Sequence, residues 1–506
     1  MTPDTSRTQS PLIRMLNAIE RAGNRLPNPT WLFIWLCLII LLLSCFAGLI
    51  GVSAVHPVSH QIVRAANLLS VEGLHKMLAQ TVSNFTQFAP VGTVLVAIMG
   101  IGVAEYTGLL GAALRATVLK APARLLSFIV VFAGVLSSLA ADTGYVILIP
   151  LAAVMFHSAG RSPIAGIAAA FAGVSGGYSA NLIIGPLDAI LAGISTEAVG
   201  LVASDYHVSV AGNYYFLAAS TLIISLLGTW VTESWVERRL PQASGDAVPT
   251  ALTATERKGL RSVAVFSVIG VAVLLWGLVP EHGALRNPAT GSVLHSPFIQ
   301  GIVVMVSLYA ALAGMLYGRV SGSITRNSDV VAGMDKSMQT MASYLVLMFF
   351  AAQFVSYFAW SNLGTITAIH GAQWLRSMAV GQDMLLACFI LLAAGINLLI
   401  GSASAKWALM APIFVPMFYL LGITPEATQM AYRIGDSATN IITPLMPYFG
   451  VVVAFVQRYD RQAGIGSIVA MMLPYSVIML FGWSLLLGLW IMADLPLGPG
   501  VGIFLK

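Results

Sequence analysis

Gly435-Asp-Ser-Ala-Thr-Asn440, with Arg433 two residues before it, interrupts a stretch that is otherwise almost continuously apolar from residue 383 to 457. Charged and small polar residues are costly in lipid, so their presence in such a run marks a helix broken inside a membrane and lined by protein or water. A second hexapeptide, Gly176-Gly-Tyr-Ser-Ala-Asn181, sits in the same way inside the apolar stretch 124–200. The surroundings match as well. Asp142-Thr-Gly-Tyr-Val-Ile-Leu-Ile-Pro150 aligns with Ser404-Ala-Lys-Trp-Ala-Leu-Met-Ala-Pro412 at an offset of 262, and Pro163 aligns with Pro425 at the same offset. Paired breaks in the two halves of an apolar chain are the sequence pattern of a secondary transporter whose site lies between repeats.

The rest of the chain agrees with that setting. Of 506 residues, 58% are apolar and 9% charged, against about 25% charged in soluble domains, which makes this an all-α integral membrane protein. The net charge of +5 has no basic cluster behind it, which excludes nucleic-acid binding. Cys37, Cys45 and Cys388 lie in apolar runs and read as small core residues rather than a disulfide framework. No H-E-x-x-H and no G-x-x-x-x-G-K-[ST] is present, so neither a metalloprotease nor an ATP-driven pump is indicated and the chain is not read as an enzyme.

Full-length apolar runs cover 30–52, 88–112, 211–232, 261–280, 298–318, 338–360 and 467–493. Lys and Arg collect in cytoplasmic loops, and 17 of the 25 fall in 1–29, 113–124, 233–261, 319–337 and 458–466. The N-terminus is therefore cytoplasmic. Residues 124–158 thread as a re-entrant hairpin from the cytoplasm with its tip at Ser137–Asp142, followed by one broken span, 162–200. Residues 383–420 form a hairpin from outside with its tip at Gly401–Ser404, followed by a span, 425–457, broken at Gly435–Asn440. The count is nine transmembrane helices and two hairpins in an inverted repeat, 30–232 and 298–494, joined by a linker, 233–297, that holds a connecting helix, 261–280. Residues 1–29 carry an amphipathic interfacial helix, and the tail 495–506 lies outside.

Charges deep in apolar segments are few: Glu105, Asp142, Asp188, Lys406, Arg433 and Asp436. Arg433 and Asp436 share a helical face and can reach each other. They read either as a structural ion pair or as separate agents, Arg433 for a substrate carboxylate and Asp436 for the coupling cation or proton. Asp142 and Lys406 flank opposite hairpin tips and could pair. Glu105 reads as a helix-packing carboxyl, and Asp188 is placed to relay protons. Oxygen-bearing side chains at the breaks suit Na⁺, and the candidate Na⁺ site is Ser138, Asn181, Asn397, Asp436 and Asn440. Ser404 and Trp407 follow the second hairpin tip, where an indole can stack on an aromatic substrate.

Through Ile19-Glu-Arg-Ala-Gly-Asn-Arg-Leu-Pro27, Ala140-Ala-Asp-Thr-Gly144, Gly176–Asn181 and Tyr432-Arg-Ile-Gly-Asp-Ser-Ala-Thr-Asn-Ile-Ile-Thr-Pro444, the chain resembles the AbgT family of bacterial p-aminobenzoyl-glutamate transporters. The resemblance implies a homodimer related to elevator-type transporters, importing p-aminobenzoyl-glutamate or exporting sulfonamide antimetabolites on a Na⁺ or H⁺ gradient. It adds Pro425 and Pro444 to Asp188, Asn397, Ser404, Trp407, Arg433 and Asp436 as residues expected to matter. A Na⁺-coupled carrier of aliphatic dicarboxylates is the alternative substrate reading.

Overall fold

The computed structural model describes residues 29–505 apart from 56, 58, 59, 140–142, 244–248, 294, 295 and 447. The interfacial helix expected within 1–29, the Ile19–Pro27 motif and Asp142 lie outside the described residues.

The chain is helical nearly throughout, and the first half runs α1 Pro29–Ile50, α2 Val71–Thr86, α3 Ala89–Tyr106, α4 Leu109–Leu119, α5 Leu126–Leu136, α6 Ile149–Ser158, α7 Pro163–Phe171, α8 Pro186–Val199 and α9 Tyr214–Val231. The second half continues with α10 Ala254–Leu278, α11 Ile302–Ser321, α12 Asn327–Thr340, α13 Ala342–Trp360, α14 Leu363–Ser377, α15 Gln382–Asn397, α16 Ala403–Tyr419, α17 Pro425–Asn440, α18 Phe449–Gln457 and α19 Ile465–Met492. A small antiparallel hairpin, β1 Ser53–Val55 with β2 Ile62–Arg64, follows α1. The order of elements from α3 to α9 recurs from α13 to α19: a long helix, a short one, a hairpin of two helices, a broken helix and a long closing helix.

Seven helices among the described residues are long and apolar enough to cross a membrane, two of them counted as Val71–Tyr106 and Tyr214–Arg239. Two bent pairs, Leu109–Leu119 with Ala123–Leu136 and Leu363–Ser377 with Gln382–Asn397, raise that to nine if each is one span. The sequence count of nine was reached differently, by adding the broken segments 162–200 and 425–457. α10 is apolar on nearly every side from Val263 onward yet buries only Gly259 and Gly277, as expected of a helix solvated by lipid. α17 is the reverse: all its residues are buried although its sequence is mostly polar.

Local chemistry places the breaks. Pro163, Pro186 and Pro425 each open a helix at a first-turn position where a missing N–H costs nothing. Thr424 caps α17 by accepting from the Ala427 N–H at 3.2 Å, and Ser402 caps α16 by accepting from the Ala405 N–H. The first hairpin turns from Ser137–Leu139 on, and the second through 398–402, which shares Gly401 and Ser402 with the expected tip while Ala403 and Ser404 already belong to α16. The first broken helix unwinds through a π turn, Ala172–Gly176, and irregular backbone up to Gly185.

The second break is displaced from its expected place. Gly435–Asn440 is helical, and the chain unwinds only after Asn440. Gly435 serves close packing instead, since a Cβ there would lie 2.3 Å from the Ile390 carbonyl oxygen of α15. The helix stops before Pro444, whose ring disfavours helical backbone at Thr443.

Four stretches assigned to loops hold helices. α2 and α14 occupy stretches between the apolar runs, 53–87 and 361–382, α4 overlaps the loop at 113–124, and α12 the loop 319–337. The run 88–112 divides at Gly108, whose φ of +83° takes the left-handed conformation glycine tolerates. Of the three cysteines only Cys37 is buried, while Cys388 is exposed. The tail is not loose: Leu497 accepts from the N–H groups of Tyr215 and Phe216, Thr424 N–H donates to Ile503, and Leu505 N–H donates to Gly422.

Candidate functional site

α17 is the centre of the site because it carries buried Arg433 and Asp436, of opposite charge, and packs against α8, α15 and α16; its other carboxyl residue, Glu426 in the first turn, accepts from the Tyr206 hydroxyl. Arg433 and Asp436 do not pair with each other. Arg433 Nη1 lies 2.7 Å from Asp188 Oδ1, at the start of α8. Asp436 Oδ1 pairs with Lys406 Nζ, in the first turn of α16. Spacing of three puts Arg433 and Asp436 side by side on α17, and each is satisfied by a different neighbouring helix. Lys406 thus takes Asp436 as partner, and the pairing with Asp142 expected from the sequence lies outside the described residues. The result is two neutral pairs, with all four side chains almost fully buried, the condition under which charges are tolerated away from water.

Hydrogen bonds fix both pairs. Asp188 Oδ2 accepts from the Gly185 N–H at 2.7 Å, which closes the first turn of α8 and orients the carboxylate. Arg433 also reaches the Ser179 carbonyl at 3.4 Å, within the first break, and Ser437 Oγ accepts from the Ser179 N–H. α17 is thereby clamped to the unwound backbone of the first repeat. Asn397, at the end of α15, accepts from Lys406 Nζ through Oδ1. Its amide group donates to the Asp436 carbonyl at 2.6 Å, to Thr439 Oγ1 and to Asn440 Oδ1. Tyr432 donates to the Ala403 carbonyl at 2.6 Å and lies 3.3 Å from Asp436 Oδ1.

Trp407 is fully buried against Tyr432, with ring centroids 4.6 Å apart, and its N–H reaches the Leu191 carbonyl and Ser195 Oγ on α8. Its ring is therefore spent on packing here, and stacking on a substrate requires that contact to open. From Ser195 the polar chain runs on to Gln429 and Asn213. Ser404 is half-buried beside Ser402, Pro425 opens α17 and Pro444 stands in the turn after it. The five candidate Na⁺ ligands fall into two groups. Asn397 and Asp436 hold Lys406, with Asn440 accepting from the Asn397 amide, whereas Asn181 donates to Ser138 at 3.2 Å at the first hairpin tip.

A cavity of about 460 Å³ opens beside that tip. Ser138, Thr143 and Tyr178 line it from the hairpin and the break, Glu105 from α3 and Lys336 from α12. Pro186 and Leu187 at the start of α8 complete it, so the residue after the lining is Asp188. Thr143 donates to Glu105 at 3.1 Å, which makes Glu105 a cavity carboxylate rather than a packing group. Sequence reasoning missed Lys336, Tyr432, Gln429 and Ser195. Tyr432 was within reach, lying four residues before Asp436 on one helical face.

Residues 14–505 match the model of the AbgT putative transporter family. The chain belongs to the AbgT family. This AbgT member is 38% identical over 485 residues to the p-aminobenzoyl-glutamate transport protein of Escherichia coli (strain K12), covering 96% of each chain. Its fold is similar to the crystal structure of the Alcanivorax borkumensis YdaH transporter, with a TM-score of 0.89 and 50% identity over 94% of this chain and all of that one. It is similar also to Neisseria gonorrhoeae MtrF, described among antimetabolite efflux pumps, with a TM-score of 0.92 and 46% identity over 96% of this chain and all of MtrF. This AbgT chain is a multi-pass membrane transporter and not an enzyme.

Proposed function

We propose that this chain is an ion-gradient-driven secondary transporter that moves p-aminobenzoyl-glutamate, exports sulfonamide antimetabolites that share its aryl amine, or does both. The cavity beside the first hairpin tip carries this reading. Its volume suits a ligand of this size, and it holds a carboxylate, Glu105, to accept from an aryl amine, and an ammonium, Lys336, to meet a carboxylate. At its α8 end a substrate carboxylate would compete with Asp188 for Arg433, so binding is coupled to opening a buried ion pair.

The recurrence of element order supports an inverted repeat working by an elevator motion, with the α5–α9 and α15–α19 segments as the moving part. The setting is a homodimer in the bacterial inner membrane, with the N-terminus cytoplasmic and the C-terminus periplasmic. Na⁺ or H⁺ supplies the gradient, and the residues assigned to transport are Asp188, Asn397, Ser404, Trp407, Pro425, Arg433, Asp436 and Pro444. The Escherichia coli relative, a p-aminobenzoyl-glutamate transport protein, favours an aromatic amide over an aliphatic dicarboxylate.

The test is flux of labelled p-aminobenzoyl-glutamate and of a sulfonamide in proteoliposomes, with Na⁺ and pH gradients imposed separately and in both directions. Arg433→Ala and Asp436→Ala are expected to abolish flux. Unchanged flux in both variants would overturn the residue assignment, and competition by succinate alone would overturn the substrate class.

A further inference from the structure

The oxygens that would hold Na⁺ are already committed. Asn397 offers one carbonyl oxygen, and it accepts from Lys406 Nζ. Asp436 Oδ1 takes the same ammonium and lies 3.3 Å from the Tyr432 hydroxyl. Asn440 Oδ1 accepts from the Asn397 amide, as does the backbone oxygen of Asp436. At the first tip, Asn181 Oδ1 accepts from the Ile183 N–H, and Ser138 Oγ donates to the Val135 carbonyl while accepting from Asn181. Among the buried oxygens of these five residues, Asp436 Oδ2 is the one with no hydrogen-bond partner, and a hard cation needs a shell of several oxygens. Na⁺ does not fit this arrangement.

What fills the position is the protein's own cation. Lys406 is fully buried in the first turn of α16, where it meets Asn397 and Asp436, two of the five residues that the sequence marks as cation ligands. The charges facing it from the packed helices are Asp436 on α17, with Arg433 turned to Asp188 of α8, and the phenol of Tyr432. Asp383 on α15 and His370 on α14 are exposed, and Arg376 on α14 bonds the Leu420 carbonyl at the other end of α16. From α13 the phenol of Tyr344 bonds the Pro90 carbonyl. A second monovalent cation among the same oxygens would be opposed by the ammonium at contact range.

We propose that Lys406 is a tethered cation standing in the place of a coupling Na⁺ ion, and that this residue excludes Na⁺ from the site and from the transport cycle. The proposal rests on reading Asn397 and Asp436 as the cation cage of a transporter. It does not depend on the identity of the substrate.

Binding of ²²Na⁺ to the purified full-length protein in detergent tests it without any substrate. The wild type is expected to show no saturable Na⁺ binding. Lys406→Asn, which removes the charge and adds an acceptor oxygen, is expected to gain it, whereas Lys406→Arg stays indifferent. In proteoliposomes the Na⁺ gradient is expected to leave wild-type flux unchanged and to drive flux in Lys406→Asn. Saturable Na⁺ binding by the wild type overturns the proposal, and so does a monodisperse Lys406→Asn protein that binds no Na⁺. If Lys406→Asn does not fold, the wild-type measurement decides alone. Absence of p-aminobenzoyl-glutamate flux under every gradient would instead overturn the substrate reading and leave the binding result standing.

Discussion

Replacing Asp188 by Asn removes one charge from a buried ion pair between the two halves of the molecule and leaves the shape almost unchanged. The Asn carbonyl oxygen can still accept from the Gly185 N–H, now 2.7 Å from Asp188 Oδ2, so the first turn of α8 keeps its closure. Arg433 cannot be kept so easily. Its guanidinium is 1% exposed, its Nε has no partner, and the Ser179 carbonyl at 3.4 Å is its remaining acceptor. A buried charge left without its counter-ion costs about 3–5 kcal/mol. With an unfolding entropy of about 2 cal/mol/K per residue, that penalty lowers the thermal midpoint of a chain this long by roughly 3–5 °C. Arg433→Met alone should lower it by a similar amount, because it strands Asp188. The double variant Asp188→Asn with Arg433→Met removes the stranded charge, so its loss should fall short of the sum of the two single losses by about 1–3 kcal/mol. Thermal unfolding of the four purified proteins in one detergent closes the cycle, with p-aminobenzoyl-glutamate flux measured in parallel. Additive losses would refute the pairing, and full flux in Asp188→Asn would refute its part in transport.

Three further outcomes follow from the geometry. Trp407→Phe deletes the N–H that reaches the Leu191 carbonyl and Ser195 Oγ; it should cost about 1–2 kcal/mol and slow flux, read by thermal unfolding and proteoliposome transport. Gly435→Ala places a methyl 2.3 Å from the Ile390 carbonyl oxygen and 2.8 Å from the Ala394 nitrogen; overpacking of about 1–3 kcal/mol should push α15 from α17 and weaken transport by shifting Asn397, and an unchanged midpoint would refute the close crossing. At α12, outside the spans, backbone amides of Arg326 and Thr325 hold the Asp329 carboxyl below its ordinary 3.8. A lowered folded value means stability present above pH 3.8 and lost as pH falls through the folded value, so amide exchange of α12, corrected for intrinsic rates, should loosen in acid in the wild type but show no such acid step in Asp329→Asn.

How far the sequence could be read follows from where physical cost is concentrated. Breaks and buried charges are expensive in lipid, so the hairpin tips near Ser138 and Ser402, the prolines opening α7 and α17, and the buried Lys406 and Arg433 all stood out. Partners did not. Asp188 and Arg433 are joined across the fold, and no spacing rule ties residues so far apart. The neighbour rule instead suggested Arg433 with Asp436, which two other helices override. Gly435 was read as a helix breaker because glycine serves both to unwind a helix and to let two helices touch, and sequence alone does not separate the uses. The helices in the loops were hidden for a different reason: α2, α4, α12 and α14 are too short or too polar to register as spans. Yet Ser70 capping α2 and Asp329 at the third position of α12 were available as start signals.

Segment 497–505 gives the molecule a topological property beyond its hydrogen bonds. By gripping Tyr215 and Phe216 on one side and Gly422–Thr424 on the other, it fastens positions some two hundred residues apart and turns the intervening chain into a closed ring. A ring constrains relative travel. The foot of the second hairpin, the start of α17 and the start of α9 must translate as one block, and a displacement that separates them has to unzip backbone bonds that no side-chain rearrangement replaces.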